Sequence, residues 1–264
     1  MRTNFAVCGC LLAGMVLSVR AEAVRAVPQL EYVRMRPGQI REAITNGLAL
    51  LMPIGVLEYH GQHNPIGLDA LLAEGIAKRV AKEVPCVLAP TQFYGYSGEW
   101  AGGIREGEIH IGGDALYGYV KPILKAFYNQ GWRRVYVICH HQGTRGVTMM
   151  SYQRAATEAA VEFARERYGP GWSEAPDVPK DVFRRIMVVG DAEFSKIGYA
   201  GHGGKGETQA MLCLCPGTVD LSVWSKANDS RWAQDSDQAT AEEGERIARA
   251  IVAGWKEELT KVEP

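Results

Sequence analysis

The chain has 264 residues, with 29 Lys plus Arg against 30 Asp plus Glu, a net charge of −1, 47% apolar residues and 22% charged ones. This is the make-up of a globular protein; it excludes collagen-like, disordered and multi-span membrane classes. The near-zero charge gives no basis for a nucleic-acid or anionic-membrane partner, and a core of this size needs no disulfide staples.

In chain order, Arg2 comes first, then a mostly apolar run over residues 5–19, then Ala21-Glu22-Ala23. A positive start, an apolar stretch too short for a bilayer and small residues at its end read as a secretory signal peptide. A membrane anchor or a buried helix is the competing reading. On the first reading residues 1–23 are removed, 24–264 form one domain, and the protein is exported to the periplasm or medium with no membrane attachment. Four cysteines remain, Cys86, Cys139, Cys213 and Cys215. Their spacing is that of neither a disulfide framework nor a four-cysteine zinc site. Cys213 and Cys215 are expected to be small core residues.

The apolar run 48–55 predicts a buried strand, and 68–84 has helical periodicity through Ile76, Val80 and Val84. Residues 86–93 follow as a strand, 114–129 as an amphipathic helix despite Pro122, and 133–139 as a β-branched buried strand. A long Ala- and Glu-rich helix is expected over 146–168, a Pro/Gly-rich surface loop over 169–179 and a strand over 185–189. A short helix over 207–215 is stopped by Pro216, and an amphipathic helix over 240–262 closes the chain. Glu242, Glu243, Glu245, Arg246 and Arg249 read as its solvated face. Apolar strands separated by helices predict an α/β fold, a three-layer α/β/α sandwich with a mostly parallel sheet. In such sheets ligands bind at the carboxyl ends of the strands.

Four of the six histidines closely follow a predicted strand: His60 and His63 after the first, His140 and His141 after the third. His202 precedes Glu207 in a Gly-rich stretch, and Glu58 and Asp69 flank the first pair. Imidazoles mixed with carboxylates suit zinc or manganese. An extended chain turns Glu58 and His60 to one face, and Asp69 is placed to bridge two adjacent ions. Histidines that only hydrogen-bond the backbone in loops are the plainer reading; three such clusters in one chain weigh against it.

The stretch from Met52 to Asp69 resembles the signature of the creatininase (creatinine amidohydrolase) family, with Pro53, Gly55, Glu58, His60, Gly61, His63, Pro65 and Asp69 in register. Tyr94-Gly95-Tyr96-Ser97 is similar to its Tyr-Gly-x-Ser turn, 135–144 to its strand and Asn-Gly-His-Gly-Gly-Asn segment, and His202 with Glu207 and Thr208 to its third motif. The resemblance runs over about 39–255. The middle motif departs from the pattern: it reads Cys139-His140-His141-Gln142-Gly143-Thr144. The glutamate of creatinine-hydrolysing members is replaced by Gly143, which weakens the case for creatinine as substrate.

The resemblance implies a creatininase-like fold and a binuclear centre of two divalent ions, zinc or manganese. Glu58 and His141 hold one ion, His60 and Glu207 the other, and Asp69 bridges them. A metal-activated hydroxide attacks a small, in some members cyclic, amide, and His202 moves the proton as general acid and base. Ser97, Trp100 and Gln142 are candidates to touch substrate. His63 reads as orienting the first loop or the sheet edge in preference to catalysis, and His140 as supporting the ligands in preference to serving as an extra ligand or a proton relay. Lys205 and Arg145 are left between a substrate carboxylate and solvent. The family also implies a homo-oligomer, often a hexamer. The altered middle motif keeps open an alternative, a non-catalytic periplasmic metal or ligand binder on the same scaffold.

Overall fold

The computed structural model describes residues 30–98, 106–226 and 231–261. The expected signal peptide and Trp100 lie outside these residues.

Strands β1 (Leu30–Glu31), β2 (Ala49–Ile54), β3 (Cys86–Leu88), β4 (Val135–Cys139) and β5 (Ile186–Gly190) form one sheet in the order β1-β3-β2-β4-β5. All of its strand pairs are parallel. The helices are α1 (Pro37–Thr45), α2 (Leu68–Glu83), α3 (Gly113–Gln130), α4 (Val147–Tyr168), α5 (Lys205–Leu214) and α6 (Ala241–Thr260). None of these is long and apolar enough to cross a membrane.

Alternation along the strands builds the layers. Leu50, Met52 and Ile54 of β2, with Val135 and Val137 of β4, pack on one face against α3 and α4 through Leu124, Tyr152 and Ala159. Leu51 of β2, with Tyr136 and Ile138 of β4, packs on the other against α2 and α6 through Ile76, Val80, Ile251 and Trp255. The result is the expected three-layer α/β/α sandwich. Both faces of β2 and β4 are covered, which is why these strands read as unbroken apolar runs.

Pro53 sits in the central strand, where a missing N–H is normally costly. Its carbonyl accepts from Gln92 N, while the alternate residues Leu50 and Ile54 bond towards β4. In a parallel strand N–H and C=O of one residue point the same way, so the absent donor faces the side where β3 has already ended. The predicted strand 86–93 is cut short at Leu88 because Pro90 follows; an isolated bridge from Gln92 to Ile54 is what remains of it. Neither β1 nor α1 was expected. The first has two residues, and the second has only nine, with a short apolar face of Ile40, Ala43 and Ile44 against the core. Cys213 and Cys215 are only half-buried, a correction to their reading as core residues. The Cys213 thiol lies 3.1 Å from Glu245 Oε2, and the same oxygen receives Arg79, so Glu245 is not simply solvated.

The end of β2 lies hard against the start of α2. A Cβ placed on Gly55 would stand 2.1 Å from Ala70 N and 2.5 Å from the Asp69 carbonyl carbon. Both are backbone atoms and cannot swing aside. Gly55→Ala is therefore expected to lose at least about 2 kcal/mol by overpacking, a fall of roughly 4–8 °C in Tm for a domain of this size. An unchanged melting curve would show that the contact gives way.

Candidate metal centre

Three carboxylates and three imidazoles meet at the carboxyl ends of β2 and β4. Glu58 and His60 stand on the loop after β2. Asp69 and Glu207 sit in the first turns of α2 and α5, where helix dipoles favour negative charge. His141 follows β4, and His202 comes from the loop before α5. That loop is pressed onto the first one: Gly203 has φ +67, and a Cβ there would lie 2.2 Å from His60 O.

Three overlapping trios have their ligand atoms within 4.8 Å of one another: Glu58, Asp69 and His141; His60, Asp69 and Glu207; Glu58, His60 and His202. His60 Nε2 lies 3.1 Å from Asp69 Oδ1 and 3.8 Å from both Glu58 Oε2 and Glu207 Oε2. His141 Nδ1 lies 2.8 Å from Asp69 Oδ2 and 3.3 Å from Glu58 Oε2. The former contact lacks hydrogen-bond geometry, so Asp69 Oδ2, like Glu58 Oε1, is a buried oxygen with no hydrogen-bond partner. Buried oxygens without donors are rare and fit a cation.

Each histidine turns one nitrogen away from the cluster. His60 Nδ1 donates to Glu58 O at 3.0 Å, His141 Nε2 to Tyr96 O at 2.8 Å, and His202 Nε2 to Tyr59 O at 2.8 Å. A donor on one side leaves the lone pair of a neutral imidazole on the other, aimed at the carboxylates. For His60 and His141 this is the arrangement a metal-ligating histidine needs, and the donor set of oxygen and nitrogen suits zinc or manganese.

Without a cation, protons take its place. Burial alone would push the His60 pKa down, but Asp69, Glu207 and Glu58 together more than reverse this and hold it at about 9. His141 is likewise opposed by burial and raised by Asp69 and Glu58 to about 10. The imidazoles in turn overcome the burial of Asp69 and Glu207 and hold both carboxyls below their usual range.

The centre opens into a cavity of about 720 Å³ whose walls include Tyr96, Gln142, Arg145, Val147, His202 and Trp232. Gln142 thus stands where a substrate would pass; its amide is tied to Ser97 O at 3.1 Å, and its backbone is left-handed at φ 53. Ser97 itself does not line the cavity. Its side chain is fully buried, with Oγ 3.2 Å from His110 Nδ1, because this turn offers the site its carbonyls and not its hydroxyl. Trp100 lies outside the described residues. Arg145 reaches the cavity and Lys205 does not. His63 Nε2 sits 3.0 Å from Thr208 Oγ1 and ties the first loop to α5. Two residues escaped the sequence reading. Trp232 comes from a segment with no motif. Asp191 comes directly after β5, where the strand-end rule alone pointed to it.

Fold and site together define an α/β protein with a candidate centre for divalent cations. The family model described as creatinine amidohydrolase matches residues 34–259, and the chain belongs to the creatininase family. It is 29% identical over 180 residues to creatinine amidohydrolase of Pseudomonas putida, spanning 65% of this chain and 66% of that protein. A 3-dehydro-scyllo-inosose hydrolase of Thermotoga maritima is 29% identical over 103 residues, 39% of this chain and 33% of its own length. A mycofactocin precursor peptide peptidase of Mycolicibacterium smegmatis is 27% identical over 246 residues, 81% of this chain and 85% of its own. Among solved structures, a zinc–zinc form of a creatininase variant superposes with a TM-score of 0.71 at 23% identity, over 88% of this chain and 97% of that one. A manganese creatininase does so at 0.70 and 23%, over 88% and 98%.

The raised histidines set a pH dependence for the metal-free protein. Their ion pairs stabilise the fold fully below the unfolded value of 6.5 and are lost as pH rises through about 9 and 10. The Tm of chelator-treated protein should therefore fall as pH is raised from 6.5 to about 10. Added zinc or manganese should release protons and flatten that fall. Calorimetry with and without chelator reads both, and a flat metal-free profile would count against the cluster.

Proposed function

We propose that this chain is an exported amidohydrolase that uses two divalent cations, zinc or manganese, to hydrolyse a C–N amide bond of a small linear or cyclic substrate. The observation that carries the reading is that Asp69 belongs to two trios at once, one with Glu58 and His141 and one with His60 and Glu207. Bound there, divalent cations lower the pKa of water and polarise a carbonyl.

The chain's own residues supply the rest. His202 is half-buried on the cavity wall, with Nε2–H held by Tyr59 O and Nδ1 turned to Glu58 Oε2 at 3.9 Å. In that tautomer Nδ1 accepts a proton from the attacking water and returns it to the departing amine. Gln142, Arg145 and Trp232 shape the space in front of it. Gly143 brings no carboxylate to the site, which favours an amide other than creatinine. Two of the relatives bear the names of an amidohydrolase and a peptidase, which supports cleavage of a C–N bond. The apolar run 5–19 with Ala21-Glu22-Ala23 supports export. Family likeness supports a homo-oligomer, often a hexamer, which sedimentation would test.

Metal-loaded protein should cleave at least one member of a panel of creatinine, N-acyl amino acids, cyclic amides and short peptides. His202→Ala should keep its metal, measured by elemental analysis, and lose about 10²–10⁴-fold in kcat. Tight binding of panel members without turnover would favour the non-catalytic binder, for which the His140 and Gln142 replacements in the middle motif speak.

A further inference from the structure

His140 stands where the family pattern has glycine, and nothing in the chemistry above uses it. Its ring bridges two carboxylates: Nδ1 is 2.9 Å from Asp191 Oδ2, and Nε2 is 3.2 Å from Glu207 Oε1. All three side chains are about nine-tenths buried. Asp191 is itself pinned at the backbone, its N–H donating to Cys139 O at 3.1 Å and its carbonyl accepting from Trp255 Nε1 at 2.6 Å. It thus ties β5 to β4 and α6 and gives His140 a fixed partner.

The two oxygens of Glu207 consequently have different surroundings. Oε1 meets His140, whereas Oε2 accepts from Gly203 N at 2.6 Å and faces His60 Nε2 at 3.8 Å. A glutamate's terminal torsion is broad, so an unheld carboxylate swings and offers either oxygen or both. With Oε1 engaged, only Oε2 is left for the half of the centre made by His60 and Asp69.

We propose that the Asp191–His140 pair is a positioning device that orients Glu207, making it a one-oxygen ligand and setting the cation affinity of the His60–Asp69–Glu207 half alone. The inference rests on the proposed cation centre. A family member with glycine at this place has no side chain there to do the same.

The test is titration of chelator-stripped protein with cobalt(II), followed by calorimetry and by the visible spectrum of the bound ion. The wild-type chain should take up two ions. His140→Gly should weaken one of the two by about 10–100-fold, the usual cost of losing a residue that supports a metal ligand. It should leave the other unchanged, and alter the cobalt spectrum of the weakened site. Asp191→Asn should weaken the same site by less. His140→Gln, whose amide nitrogen can take the place of Nε2, should recover most of the affinity, whereas His140→Leu, which fills the space without a donor, should not. If the glycine variant does not fold, Asp191→Asn decides alone: one weakened site supports the inference, and two wild-type affinities overturn it. Wild-type affinities and spectrum in both His140→Gly and Asp191→Asn overturn the inference, as does equal weakening of both sites. A wild-type chain that takes up no cobalt overturns the cation centre as well, whereas two ions bound with indifferent variants overturn this inference alone.

Discussion

Negative charge brought out of water is the constraint around which this molecule is organised. Glu58, Asp69 and Glu207 are 2%, 1% and 7% exposed and share neighbours a few ångströms apart. Carboxylates so placed repel one another and have lost their hydration, so positive charge must stand among them. Histidines supply it as protons in one state, and divalent cations are suited to supply it in another. The backbone serves the same end. Two helices begin at the site and turn their dipoles towards it, and glycines at 55 and 203 let β2, α2 and the His202 loop approach closely enough to gather the ligands.

Much of this was legible in the sequence. β2 and β4 announce themselves as apolar runs because helices cover both their faces, and α2, α3, α4 and α6 fall within a few residues of their expected bounds. The five expected ligands and His202 are brought into one cluster, to which the first motif contributes Glu58, His60 and Asp69 from a specific loop between a strand and a helix. What the sequence hid was what has no periodicity. The two-residue β1 leaves no pattern, and the nine-residue α1 carries only one short apolar face, Ile40, Ala43 and Ile44. Ser97 looked like a hydroxyl for substrate because a motif tells which residues cluster but not which way a side chain turns. Trp232 and Asp191 reach the site through tertiary folding from segments unmarked by any motif.

The inner and outer parts of the site differ in how far they are shared. The cluster of acids and imidazoles follows the family pattern closely. Around it the chain departs from that pattern: Gly143 in place of a glutamate, Gln142 in a left-handed conformation, His140 wedged between two acids. Gln142 lines the cavity and His140 meets Glu207, while the sheet is untouched. The surroundings of the cluster can therefore drift while the fold stays as it is.

The contact between His202 and Tyr59 joins residues 143 apart in the chain, and that between His63 and Thr208 joins residues 145 apart. During translation the loop after β2 leaves the ribosome long before α5 is made. Its glutamate, histidine and aspartate then wait in water, each fully hydrated and none yet forced on the others. The electrostatic cost of the centre thus falls only when α5 and the loop before it close onto the first motif.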